Sequence, residues 1–174
     1  GRESPWMSAT AEQYDFFSPP ARLFFTSATR RGVPFDAFHR YVGNEASFTV
    51  RLAGVVPMIQ ANGPVMTRSE TVTLFNDMCI LAPATLLDPA IEWSALDASR
   101  VGAAFTNAGH RITAVLMFDA AGDLVNFRSD DRHQYDGKID RLLPWLTPVT
   151  DYRDFGGVRL AARGEARWLE AEGE

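Results

Sequence analysis

The chain has 174 residues, a formal net charge of −5 and 46% hydrophobic residues, a balance that fits a folded globular protein and sets aside global disorder. The negative charge argues against general nucleic-acid binding, and a lone cysteine, Cys79, excludes an internal disulfide or a cysteine metal cluster. No apolar run reaches the ~20 residues of a membrane span. Residues 1–174 read as one β-rich domain, because most segments alternate with period two between turn residues. "WMSATAEQY" (6–14), "RLFFTSATRR" (22–31) and "PFDAFHRYVG" (34–43) read as the first three strands. The third puts Phe35, Ala37, His39 and Tyr41 on one face, with Asp36, Phe38 and Arg40 on the other. "ASFTVRLAGVVPMI" (46–59) reads as a fourth strand, closed by "ANGP".

A helix follows over about 69–81. Thr67 and Glu70 have the spacing of a capping box, and Pro83 marks the end. This helix is apolar nearly all round, yet it carries Glu70, Asn76 and Asp77. Strands then resume as "AIEWSALD", "RVGAAFTN", "HRITAVLMFD" and "GDLVNFRSDD", joined by the turn signals "NAGH" and "DAAGD". In "HRITAVLMFD" the apolar face is Ile112, Ala114, Leu116 and Phe118. "TPVTDYRDFGG" and "GEARWLEAEG" read as closing edge strands. The expected fold is therefore mainly β: a curved antiparallel sheet, a half-barrel or open barrel, wrapped around one principal helix. A helix without a polar face needs cover on both sides: sheet on one, and a cavity, lid loop or partner chain on the other.

The succession "RLFFTSA…GVPFDAFHRYVG", "ETVTLFNDMCILAPATLL", "IEW", "FDAAGDLVNFRSDDR" and "GEARW" resembles, over essentially the whole chain, an uncharacterised bacterial family, a domain of unknown function. The helix and the "SDDR" segment are its most specific pieces. The resemblance implies a shape like the half-barrel of the periplasmic lipoprotein carriers, and it supplies no reaction from which catalytic residues carry over. Relatives begin a strand or more further upstream. An open first edge, and with it a homodimer, is therefore expected. The compartment stays open between cytoplasm and, with an upstream signal removed, periplasm.

Glu70 and Asp77 lie seven apart and share a helix face. Paired carboxylates in an apolar cleft can divide acid and base roles; the structural alternative is a cap for Glu70 and an Arg or amide partner for Asp77. His39, on an apolar strand face, is either a satisfied core histidine or a base beside them. If the interior reacts, the candidate catalytic residues are Glu70, Asp77 and His39. If it binds, the candidate ligand contacts are Phe75, Asn76, Tyr41 and Arg128, with Arg128 and His39 the expected partners of Asp77. Asn76 alternatively holds a loop. "RSDDRHQYDG" (128–137) is an ion-paired rim loop, or a cation site through Asp130 and Asp131 without the full spacing of a calcium loop. No two histidines have metal-ligand spacing, and no nucleotide or nucleophile motif occurs, so neither metal nor cofactor is expected. The expected partner is a hydrophobic small molecule or lipid; the alternative is an acid–base enzyme such as a cyclase, isomerase or hydrolase.

Overall fold

The computed structural model describes residues 7–135 and 140–169; the first expected strand begins, and the last ends, outside the described residues. A five-stranded antiparallel meander comes first: β1 (Ala9–Phe17), β2 (Pro20–Arg30), β3 (Val33–Val42), β4 (Glu45–Leu52) and β5 (Val56–Asn62). The expected fourth strand is in fact two. Ala53 and Gly54 both have positive φ, 50° and 71°, the left-handed pair of a tight hairpin, and Val55 N–H returns to the Leu52 carbonyl at 3.1 Å. Helix α1 (Pro64–Leu81) follows, then a 3-10 turn (Pro83–Leu87). It starts about five residues earlier than expected, with Gly63 before it and Pro64 in the first turn.

The second half holds β6 (Ile91–Ala95), β7 (Arg100–Asn107), β8 (His110–Phe118), β9 (Leu124–Ser129), β10 (His133–Tyr135), β11 (Asp140–Leu142), β12 (Trp145–Leu146), β13 (Val149–Asp154), β14 (Arg159–Gly164) and β15 (Arg167–Trp168). Six of them form a second antiparallel sheet in the order β15-β12-β9-β8-β7-β6, and β10-β11 and β13-β14 are separate hairpins. The "TPVTDYRDFGG" stretch is thus one arm of a hairpin rather than a sheet edge. Neither sheet closes into a barrel. The fold is mainly β and antiparallel around one principal helix, as expected, and its open arrangement is made of two sheets holding α1 between them, since α1 touches β4 and β5 on one side and β8, β9 and β14 on the other. Among the described residues no helix is long and apolar enough to cross a membrane.

Cross-strand register explains how the first sheet meets the helix. Residues of one face line up in rows: Asp15–Arg22–Tyr41–Ala46, then Gln13–Phe24–His39–Phe48–Ala61. Beyond them run Ala11–Thr26–Ala37–Val50–Ile59 and Ala9–Ala28–Phe35–Leu52. The helix crosses the first two rows. Thr67 Oγ1 accepts the Ala46 amide at 3.2 Å. Tyr41, fully buried, shares a hydrogen bond with Thr71 and accepts one from Asn107 Nδ2 at 2.6 Å, so one phenol links the first sheet, the helix and the second sheet. On its other side the helix is apolar. Phe75 stacks on Phe105 at 5.2 Å and meets Phe127 edge-on at 5.9 Å, while Val72, Leu74, Met78 and Cys79 join the same core. The predicted apolar face of β8 is part of that core: Ile112, Ala114 and Leu116 are buried. Cys79 is buried too, and burial pushes its thiol above the ordinary range.

Candidate functional site

The helix has no clean solvent face because its polar residues point into the protein. Glu70 and Asp77, two turns apart, both reach Arg22 of β2. Arg22 Nε donates to Asp77 Oδ2 at 2.6 Å and Nη1 to Glu70 Oε2 at 3.2 Å. His39 Nδ1 lies 3.1 Å from Glu70 Oε1, and Arg132 Nη2 is 3.7 Å from that same oxygen. Gln13 Nε2 donates to both Asp77 Oδ2, at 2.8 Å, and Asp15 Oδ2, at 2.7 Å. The three central charged groups are well shielded, Glu70 at 1%, Arg22 at 5% and Asp77 at 9% exposure. Isolated charges at such depth cost several kcal/mol each, so the network must hold as a unit.

Its carboxylates diverge. Burial opposes ionisation of Glu70, but the His39 hydrogen bond and the charges of His39, Arg22 and Arg132 outweigh it and hold the group at about 2. At Asp77 burial wins over the pull of Arg22, and with repulsion from Asp15 and Glu70 it pushes the group up to about 7. Asp15 is also raised, chiefly by burial, and its Oδ1 is buried without a partner among the described residues. The two shifts act on stability with opposite signs. Asp77 holds its proton more tightly folded than unfolded, so its contribution is full below its ordinary 3.8 and is lost as pH rises through about 7. Glu70 contributes above its ordinary 4.5 and loses that contribution as pH falls towards about 2. Wild type should therefore be more stable at about pH 5 than at about pH 7.5, by roughly 2 kcal/mol, and Asp77→Asn should abolish most of that slope. Urea denaturation at the two pH values measures it; equal wild-type midpoints would contradict the buried position of Asp77.

The structure brings together Glu70, Asp77 and His39 but rearranges their expected partners. Asp77 is held by Arg22 and Gln13, not by Arg128 or His39. Arg128 is bound to Asp130 at 3.0 Å on the surface, because its neighbour Phe127 takes the inward side of β9. The capping box does not form: the Thr67 hydroxyl bonds back to the Gly63 carbonyl at 3.1 Å, and Glu70 turns to the sheet. Phe75 is wholly in the core. Asn76 Nδ2 donates to Thr147 Oγ1 at 2.6 Å, the loop-holding alternative. Asp131 is taken up by Arg68 and by the amide and hydroxyl of Thr113, and Asp130 by Arg128, so the "SDD" stretch is an ion-paired rim. Sequence reasoning missed Arg22, Gln13 and Arg132. For Arg22 the signal was present: folding the β2-β3 hairpin about Gly32 places it opposite Tyr41.

Arg132 sits with its guanidinium over Trp145 at 4.6 Å and Trp168 at 5.0 Å, and Nε donates to Thr73 Oγ1 at 3.0 Å. Burial lowers its pKa from the ordinary guanidinium value. Beside the network, the rows through Ala37 and Phe35 stand outside the buried core: Thr26, Ala28, Phe35, Ala37, Val50, Leu52 and Ile59 are half-buried, and Ala9 and Ala11 are exposed. Other hollows lie elsewhere. A polar groove of about 640 Å³ at the helix N-terminus is lined by Arg40, Asn44, Asn62 and His110. An apolar cavity of about 180 Å³ lies between Cys79, Leu86, Leu116 and Leu160. Neither takes in the charge network, and the groove lacks the apolar walls that small-molecule sites use; the network and its apolar shelf are the better candidate.

Fold and site together define a mainly β protein in which one buried helix carries a charge network against an open antiparallel sheet. The chain belongs to the family described as "Family of unknown function (DUF6544)", which matches it over residues 1–174. No curated protein and no solved structure matches it.

Proposed function

We propose that this protein binds a hydrophobic or amphipathic small molecule, lipid-like in class, along the inner face of the five-stranded sheet. The observation that carries the reading is the apolar shelf. Ala11, Ala37, Val50 and Ile59, with Ala28, Phe35 and Leu52 beside them, face the same side as the helix yet lie outside the core. A sheet face left to water is normally polar, and contiguous apolar surface of this kind marks binding sites. Five strands at about 4.8 Å spacing give a shelf about 19 Å across, room for an extended acyl chain. Native mass spectrometry of the purified protein, with organic extraction, tests it. The expected result is a co-purifying apolar molecule that is absent from Val50→Glu, a variant whose thermal midpoint stays near wild type. A ligand-free protein that also fails to enhance the fluorescence of an anilinonaphthalene dye would overturn the reading.

One geometric feature favours acid–base catalysis as a second reading. Glu70 engages His39 Nδ1, which leaves Nε2 without a hydrogen-bond partner among the described residues. A carboxylate-oriented imidazole with a free nitrogen is the arrangement of a general base. His39, Glu70 and Asp77 would then be the catalytic set, with no cofactor. His39→Asn separates the readings. A carrier keeps its affinity within about threefold, whereas an enzyme's substrate, consumed by wild type, is recovered intact from the variant.

A further inference from the structure

We infer that the molecule held on this shelf carries an acid group, a carboxylate or a phosphate, and that Arg132 anchors it. The inference rests on the binding reading above and narrows its ligand class. Arg132 is largely buried, 15% exposed at its side chain, between two tryptophan rings. The Nε–H to Thr73 is the one hydrogen bond of its side chain among the described residues. Glu70 Oε1, at 3.7 Å, attracts the guanidinium but is beyond hydrogen-bond range. Both Nη nitrogens therefore lack an acceptor among the described residues, and neither is among the sealed, partnerless polar atoms there, so both remain reachable. A buried guanidinium with an unfilled fork is the donor geometry that a carboxylate or phosphate matches with two parallel hydrogen bonds.

Three other arginines of this region are already taken. Arg22 serves Asp77, Glu70 and Gln13; Arg68 serves Asp131; Arg128 serves Asp130. Charge points the same way. The network holds two guanidiniums against Glu70, Asp77 and, at its edge, Asp15. Burial pushes both Asp77 and Asp15 towards their neutral forms, which lowers the negative charge facing the two guanidiniums. His39 touches the Glu70 oxygen that Arg132 approaches, so Arg132 lies beside the first sheet's inner face.

Calorimetric titration with dodecanoate, dodecyl phosphate and dodecanol tests the inference, because the three share a chain and differ in the head. Wild type should bind one or both acids at least about tenfold more tightly than the alcohol at about pH 6.5, the worth of a charged hydrogen-bonded pair. The preferred acid tells carboxylate from phosphate. Arg132→Gln should erase the preference and leave dodecanol affinity unchanged, and Arg128→Gln should erase nothing. Should Arg132→Gln fail to fold, Arg132→Lys keeps the charge without the fork and should still lose several-fold of the preference. Equal affinity of wild type for acid and alcohol would overturn the inference and leave the binding reading standing. Binding of none of the three would overturn the binding reading itself, and the inference with it.

Discussion

Replacing Glu70 by alanine is expected to cost about 3–5 kcal/mol of folding stability, the loss typical when one member of a buried ion pair is removed. The cause is what the change strands. Arg22 keeps Asp77, but Arg132 loses its neighbouring carboxylate and His39 its hydrogen-bond partner, all in a site shielded from water. Glu70→Gln keeps a carbonyl oxygen for those donors and should cost less, which separates lost charge from lost hydrogen bonding. A double-mutant cycle with Arg22→Ala should return a coupling of about 1 kcal/mol or more, because the two side chains are in direct contact. Urea denaturation of the set measures these values. A Glu70→Ala loss below about 1 kcal/mol would place Glu70 in water rather than beneath the sheet.

The second large effect is expected at Phe75. Its ring is fully buried against Phe105, Phe127 and Trp93, so Phe75→Ala removes apolar contact and leaves a cavity that three large rings cannot collapse to fill. A loss of about 3–5 kcal/mol is expected. Phe75→Leu, which fills most of that volume, should lose distinctly less. The two helix faces are therefore held by different physics, apolar packing towards the six-stranded sheet and charge pairing towards the five-stranded one. Salt separates them. High ionic strength should shift the Phe75→Ala deficit little, and a deficit below about 1 kcal/mol would mean the helix is peripheral.

Much of this arrangement is legible in the alternation of single segments. The face of β3 holding Phe35, Ala37, His39 and Tyr41 points inward as read, and Glu70 and Asp77 share a helix face as their spacing requires. What sequence reading lost depends on pairing between distant segments. Arg22 reaches Asp77 across 55 positions and Arg132 reaches Thr73 across 59, distances at which periodicity is silent. The merged fourth strand was lost to a local signal read too weakly, Ala-Gly being less telling of a hairpin than Asn-Gly. The short strands β10 to β12, two or three residues each, offer too few residues for a period. Arg128 was, with His39, an expected partner of Asp77, although alternation about Phe127 already directs it outward. Arg132 comes inward just past the end of β9, where Asp131 bonds Thr113 and Arg68.

In the proposed binding mode, the charges on the helix and the apolar rows beside them act as one site, with an apolar chain on the sheet and its polar end at the network. Methyl-resolved NMR of the isotope-labelled protein during titration with dodecanoate tests that claim most directly. The account predicts saturable shifts at Ala37, Val50 and Ile59, with smaller ones at Ala11 and Ala28, and little change at Leu86 or Leu160 around the separate apolar cavity. Unperturbed methyls on the inner face, or shifts confined to that cavity, would contradict it.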